Sequence, residues 1–219
     1  MNINDYILEE IKTLAINDTV KKAQERCENY PISHFPVVED NKLIGCFSES
    51  DIRTINDTNS LLKEHTYLLA HFFATKNTPL LDLIALFADN DCNLIPVLSE
   101  DKKYIGYYEL ADILDVFADS PFLHRDNETL VVAKNTNDFS MSEVAQIVES
   151  NNAKLLGLYI SHQTNKDIQI TLKISSNEVN EIIQTFRRYD YTVMSEHEDD
   201  FYLEELKDRA NYLKKYLDM

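Results

Sequence analysis

Three glycines are all that 219 residues contain. That scarcity leaves little material for a phosphate loop, and neither G-x-x-x-x-G-K-[ST], G-x-G-x-x-G nor G-x-S-x-G occurs. H-E-x-x-H is also missing. His65 and His71 stand six apart, a spacing that sets them on different faces of a helix, and His124, His162 and His197 fall in an expected loop, turn and tail. The paired carboxylates near the C-terminus have no apolar pocket to shift their pKa values. The chain is expected to be no enzyme, with no catalytic residues and no metal site.

Cysteine is equally sparse. Cys27, Cys46 and Cys92 are odd in number, far apart and set in apolar patterns, so buried free thiols are expected, not a disulfide framework or a metal site. No stretch approaches the roughly 18 uninterrupted apolar residues of a membrane span, and MNINDYILEEIK is charged helix material, unlike a signal peptide. A cytoplasmic protein without a membrane segment is expected. Basic residues are outnumbered, 21 against 38 acidic, for a net charge of −17. Nucleic acid and anionic membranes are poor partners for such a chain, because phosphate backbones demand clustered Lys and Arg. A small buried anion held by a few local donors is compatible with it.

What the chain does have is a core and a repeat. Hydrophobic residues make up 44% and aromatics 10%, enough for one large or two small globular domains. Residues 35–52 read FPVVEDNKLIGCFSESDI and residues 95–113 read IPVLSEDKKYIGYYELADI. Pro36 matches Pro96, Gly45 matches Gly106 and Asp51 matches Asp112, so two of the three glycines recur at equivalent places. Each unit predicts a β-hairpin followed by a helix, with EDN as the first turn. Upstream, Leu14 to Ile16 predicts a strand, and Asn17 or Asp18 a cap for a helix that buries Val20, Ala23 and Cys27. In the second unit the strand is His71 to Ala74, the cap Thr78 with Pro79 at the first helical position, and the inward residues Leu83, Leu86 and Phe87.

This duplicated β-α-β-β-α pattern resembles a tandem pair of cystathionine-β-synthase (CBS) domains, the Bateman module. The resemblance covers residues 1–120, with a first unit of about 1–60 and a second of about 61–120. It rests on His34-Phe-Pro-Val-Val with Gly45-Cys-Phe-Ser48-x-x-Asp51, and on Leu94-Ile-Pro-Val-Leu with Gly106-Tyr-Tyr-Glu109-x-x-Asp112. It implies two units packed sheet to sheet around two clefts that take adenosine-containing ligands: AMP, ADP, ATP or S-adenosylmethionine. Asp51 would accept from both ribose hydroxyls, Ser48 would contact ribose or phosphate, and Phe35, Pro36 and Ile95 would lie beside the adenine. A carboxylate suits a vicinal diol, and a hydroxyl with free helix N–H groups suits a phosphate. S-x-x-D ahead of an apolar helical run is also a capping box, and sequence does not separate the two readings. In the second unit Glu109 replaces the hydroxyl residue and would repel phosphate, so Asp112 fits an uncharged nucleoside better than ATP. His34, Lys42, Arg53, Lys102 and Lys103 are the cations nearby in sequence.

After a polar linker at 120–128 the rhythm changes. Strands are expected at 129–134, 153–161, 167–174 and 191–195, and helices behind the capping boxes Ser140/Glu143 and Ser175/Glu178. The order β-α-β-β-α-β is ferredoxin-like, which makes the whole chain an α+β protein. A unit of this order after a CBS pair resembles an ACT domain, here at 127–196, and the chain resembles the acetoin-utilisation-type CBS-CBS-ACT proteins. The turn at Asn137 to Met141 lacks the Pro and Gly of amino-acid-binding ACT domains, which favours a role in pairing two chains. Residues 197–219 combine an acidic tail with an amphipathic helix whose stripe is Phe201, Leu203, Leu206, Ala210, Leu213 and Leu217. The combined expectation is a homodimeric regulatory protein that senses an adenosine nucleotide and relays it to an unknown protein partner, or a ligand-free scaffold for interaction.

Overall fold

The structure, a computed structural model, describes residues 2–10, 13–176, 179–195, 212 and 214. It divides into two compact units, Met1–Ala118 and Asp119–Met219.

In the first unit, helix α1 (Val20–Asn29) precedes a hairpin of β1 (His34–Glu39) and β2 (Lys42–Ser48), and a short helix α2 (Glu49–Thr54) follows. Asp40 and Asn41 turn the hairpin with φ of 48° and 61°. A two-residue turn with positive φ at both positions matches the twist of the strands, and Asp and Asn tolerate it. The pairing slips between Val37 and Val38, which leaves Ile44 as the extra residue of a bulge before Gly45. The second repeat has α3 (Leu80–Asp89), β4 (Leu94–Leu98), β5 (Tyr104–Glu109) and α4 (Leu110–Ala118). Its hairpin slips at the equivalent place, leaving Ile105 before Gly106.

The leading strands are shorter than the sequence predicts, and tight turns are the reason. Leu14 makes only a single parallel bridge to Val37. Asp18 then closes a turn: its N–H donates to Ala15 O at 2.9 Å and its carboxylate accepts from Ala15 N–H at 3.0 Å. Asp18 is thereby occupied, and Thr19 caps α1 by accepting from Lys22 N–H at 3.3 Å. In the second repeat β3 is Ala74–Thr75, parallel to β4. Thr78 Oγ1 turns back to accept from Thr75 N–H at 2.9 Å, which leaves Pro79 as the cap residue of α3.

The two repeats also exchange their leading segments. Leu8 pairs with Tyr107 of the second hairpin, and Ala70 pairs with Cys46 of the first. A Cβ on Gly106, whose φ is +139°, would stand 2.5 Å from Leu8 O, and one on Gly45 would stand 3.0 Å from Ala70 O. The repeated glycine is thus where a foreign backbone crosses the strand. The cores are shared in the same way. Leu94 and Tyr107 join the cluster of Leu14, Phe35 and Phe47, while Cys46 joins that of Leu83, Ile95 and Tyr108. All three cysteines are buried and free.

The second unit runs β6 (Glu128–Asn135), α5 (Met141–Ser150), β7 (Lys154–Gln163), β8 (Asp167–Ser175), α6 (Val179–Arg188) and β9 (Thr192–Val193). The element order is that of the ferredoxin-like motif, in an antiparallel sheet ordered β7-β8-β6-β9. In β8 burial alternates strictly, with Ile168, Ile170, Leu172 and Ile174 inside, where Ile147, Ile183 and Phe186 of the helices meet them. The last strand is cut to two residues. Ser140 leads α5 without a side-chain capping bond, its hydroxyl lying 3.0 Å from Ser142 Oγ, and the Glu143 carboxylate accepts instead from Lys134 Nζ at 2.7 Å and Tyr191 Oη at 2.8 Å. Ser175 ends β8, while Glu178, its expected partner in a capping box, and the stripe from Phe201 to Leu217 lie outside the described residues. Among those described, no helix is long and apolar enough to cross a membrane.

Candidate ligand site at the strand-helix junctions

Ser48 and Asp51 meet where β2 passes into α2. Ser48 Oγ accepts from Asp51 N–H at 3.0 Å and donates to Asp51 Oδ2 at 2.6 Å. The N-cap bond is therefore realised, while the carboxylate accepts from the Ser48 hydroxyl and not from the Ser48 N–H of a full capping box, and is fixed by it. Asp51 is half-buried, and its Oδ1 makes no hydrogen bond among the described residues. An oriented carboxylate with one open oxygen can accept a donor pair from a diol. Helix α2 has only six residues, so its N-terminus contributes little dipole toward a phosphate.

His34 borders the same junction. Its Nδ1 lies 3.0 Å from Ser33 Oγ and its ring stands edge-on to Phe72, with centroids 5.3 Å apart. Burial holds its pKa below the ordinary histidine value, although the charges of Asp51 and Asp91 oppose that. Burial thus disfavours the charged form of this ring, which makes it a poor anchor for a phosphate. Arg53 is turned to Glu49 at 2.8 Å, and Lys42, Lys102 and Lys103 are exposed on the hairpins. Among the described residues, none of these cations makes an ion pair or hydrogen bond with Asp51.

Phe35 and Ile95 are 1% and 0% exposed in the two cores, and Pro36 is buried next to Phe35 on β1. Asp112 sits half-buried in the first turn of α4. Beside it, at the second junction, lies a cavity of about 230 Å³ whose walls include Glu10, Tyr30, Ile32, Asn93, Tyr107 and Glu109. Burial raises the Glu109 pKa, and the neighbouring Asp112 and Glu10 push it the same way. Such a wall repels phosphate, and the volume is below the usual 300 Å³ or more of drug-sized ligand pockets. Glu10 and Tyr30 were not identifiable from sequence as wall residues, because the exchange of leading segments is what brings them there. A wider cleft of about 900 Å³ in the second unit, lined by Asn151, Gln184, Arg187, Arg188, Tyr191 and Thr192, contains none of the residues singled out from sequence.

Residues 3–56 and 71–119 each match the family model of the CBS domain, so the chain carries a tandem pair of CBS domains. An inosine-5'-monophosphate dehydrogenase of Methanocaldococcus jannaschii is 26% identical over 112 residues, 51% of this chain and 22% of that enzyme. The chain thus spans about a fifth of that relative's length. Among solved structures, a CBS domain pair/ACT domain protein from Thermotoga maritima aligns with a TM-score of 0.49 and 17% identity, over 55% of this chain and 99% of that one. CBSX2 in complex with AMP aligns with a TM-score of 0.45 and 19% identity, over 53% and 95%.

Proposed function

We propose that this chain is a non-catalytic regulatory protein whose CBS pair binds an adenosine-containing nucleotide through Asp51. The observation that carries this reading is the open Oδ1 of a carboxylate whose other oxygen is held by Ser48. Ribose hydroxyls are donors of the right number and spacing for such a group. Phe35, Pro36 and Ile95 support the strands around the ligand from within the cores. Among the described residues no hydrogen bond or ion pair brings a Lys or Arg to Asp51, which favours AMP or S-adenosylmethionine over ADP and ATP. Asp112 serves a second, weaker place for an uncharged nucleoside, because Glu109 and Glu10 flank it.

The second unit acts as an ACT-like pairing module in a cytoplasmic homodimer, and nucleotide binding is relayed from the CBS pair to a partner protein. In support of pairing over amino-acid binding, the ground under the first turn of α5 is taken by the chain's own Lys134–Glu143 ion pair at 2.7 Å. A ligand shifts such an assembly only by its difference in affinity for the two arrangements.

One observation favours a different reading: the Ser48–Asp51 bond already satisfies a helix cap without any ligand. In that case the chain is a ligand-free interaction scaffold. Calorimetric titration of AMP, ADP, ATP and S-adenosylmethionine into wild type and Asp51→Ala separates the two. A sensor binds one of them and loses it in the variant, whereas a scaffold binds none.

A further inference from the structure

The two hairpins open on different chemistry. His34 begins β1 where Leu94 begins β4, and each lies directly across its ladder from the last residue of the returning strand: His34 from Ser48, Leu94 from Glu109. Residues directly opposite in an antiparallel pair carry their side chains on the same face, with Cβ atoms about 4.5 to 5.5 Å apart. The imidazole therefore shares a face with the Ser48 hydroxyl that holds Asp51, and Asp51 is near enough for its charge to act on the ring. Leu94, the equivalent residue, is a core side chain with 0% exposure. An imidazole in the place of a core leucine brings two nitrogens that need partners.

One of them is satisfied within the chain. Ser33 Oγ accepts from Asn93 N–H at 2.9 Å, and among the described residues its own hydrogen has one acceptor, His34 Nδ1 at 3.0 Å. This network assigns Nδ1 as the acceptor and puts the ring hydrogen on Nε2. Nε2 makes no hydrogen bond among the described residues. It is not sealed off either, because the buried side-chain atoms without a partner among those residues are His65 Nδ1 and Ser120 Oγ. Phe72 packs edge-on against the ring and supports it from the apolar side. The first junction thus presents an open donor, His34 Nε2–H, on the face that carries an open acceptor, Asp51 Oδ1. Leu94 gives the second junction no such donor.

We propose that His34 is a specificity-determining residue of the first junction, donating from a neutral ring to an uncharged acceptor of the ligand. This rests on the reading of Asp51 as a nucleotide contact and narrows the ligand class: it must offer a vicinal diol to Asp51 and a ribose oxygen or purine nitrogen to His34 Nε2–H. Ser33 is the positioning residue. It holds Nδ1, and through Asn93 N–H it ties the orientation of the donor to the second repeat.

AMP and adenosine are titrated by calorimetry into the full chain as wild type, Asp51→Ala, His34→Leu and His34→Gln. His34→Leu installs the residue that the second repeat carries here and is expected to weaken both ligands about fivefold, the worth of one neutral hydrogen bond, and by the same factor for each. His34→Gln, whose amide can donate from a similar reach, is expected to recover most of that loss. Nitrogen NMR of the histidine rings at pH 8 needs no variant: the His34 hydrogen is expected on Nε2, and its signal is expected to move when AMP is added. A hydrogen on Nδ1 would overturn the proposal, as would a loss in His34→Leu confined to AMP, which would make the ring a phosphate contact. Binding that is lost in Asp51→Ala but unchanged in His34→Leu overturns this role alone. Wild type that binds neither ligand overturns the reading of Asp51 and this role with it.

Discussion

Ser33 and Asn93, sixty residues apart and equivalent in the two repeats, hydrogen-bond each other reciprocally. Ser33 N–H donates to Asn93 Oδ1 at 2.8 Å, and Asn93 N–H donates to Ser33 Oγ at 2.9 Å. Their carbonyls accept from Glu49 N–H at 2.8 Å and Leu110 N–H at 3.0 Å, the first residues of α2 and α4. One polar clasp thus joins both strand-helix junctions, so a change at one candidate site has a direct mechanical route to the other.

That clasp predicts coupled mutational effects. Asn93→Ala leaves Ser33 N–H and Pro31 O without partners and is expected to cost about 1 to 3 kcal/mol. Ser33→Ala costs less, and the double variant costs less than the sum, because the two side chains serve one connection. Chemical denaturation of the four proteins of the cycle checks this, with additive effects as the contrary result.

The glycines predict an asymmetry. Gly106→Ala puts a Cβ 2.5 Å from Leu8 O at a φ of +139°, while Gly45→Ala puts one 3.0 Å from Ala70 O at an ordinary φ. Backbone cannot yield as a side-chain tip does, so Gly106→Ala is expected to lose more than about 2 kcal/mol and Gly45→Ala about half of that. Thermal unfolding of the two variants ranks them, and equal midpoints would contradict the packing described.

Glu143 predicts an acid-side loss of stability in the second unit. Its hydrogen bond from Lys134 holds its pKa below the ordinary 4.5; burial opposes this, and the hydrogen bond from Tyr191 and the Lys134 charge add to the lowering. A lowered folded pKa contributes stability that is complete above the unfolded value and disappears as pH falls through the folded one. Between pH 7 and 5 the contribution is therefore constant, and it declines below about pH 4.5. Glu143→Gln removes it at every pH, at a cost of about 1 to 2 kcal/mol at pH 7, moderated because Glu143 is 29% exposed. Urea unfolding across pH checks the prediction: the variant's stability changes less than wild type's on the acid side.

The thiols are expected to be inert in the folded chain. Burial pushes Cys27 and Cys92 up to about 11 and Cys46 higher still. A thiol reagent at pH 8 should label none of the three quickly until denaturant is added, since the thiolate is the nucleophile. Rapid labelling of native protein would show that one of these pockets opens.

Much of this architecture was legible in the sequence because it is local. Paired prolines and glycines marked both hairpins, and the alternation of residues 167–174 marked β8. Single-residue competition moved what was misplaced. Asp18 has the pattern of a cap but closes a turn on Ala15, Thr78 does the same with Thr75, and Glu143 leaves its capping box for Lys134. The cavity beside Glu109 and the Ser33–Asn93 clasp were illegible for a different reason. They depend on segments about 60 to 100 residues apart meeting through the exchange of Leu8 and Ala70 between repeats, which no local pattern encodes.

The most direct measurement of the central claim is thermal unfolding of wild type and Asp51→Ala with and without millimolar AMP, ADP, ATP or S-adenosylmethionine. Ligand at 100 times its Kd adds roughly 2.7 kcal/mol, enough to raise the midpoint by a few degrees. The account predicts that rise in wild type with at least one adenosyl ligand and its loss in Asp51→Ala. No rise with any of the four, or an equal rise in the variant, would contradict it.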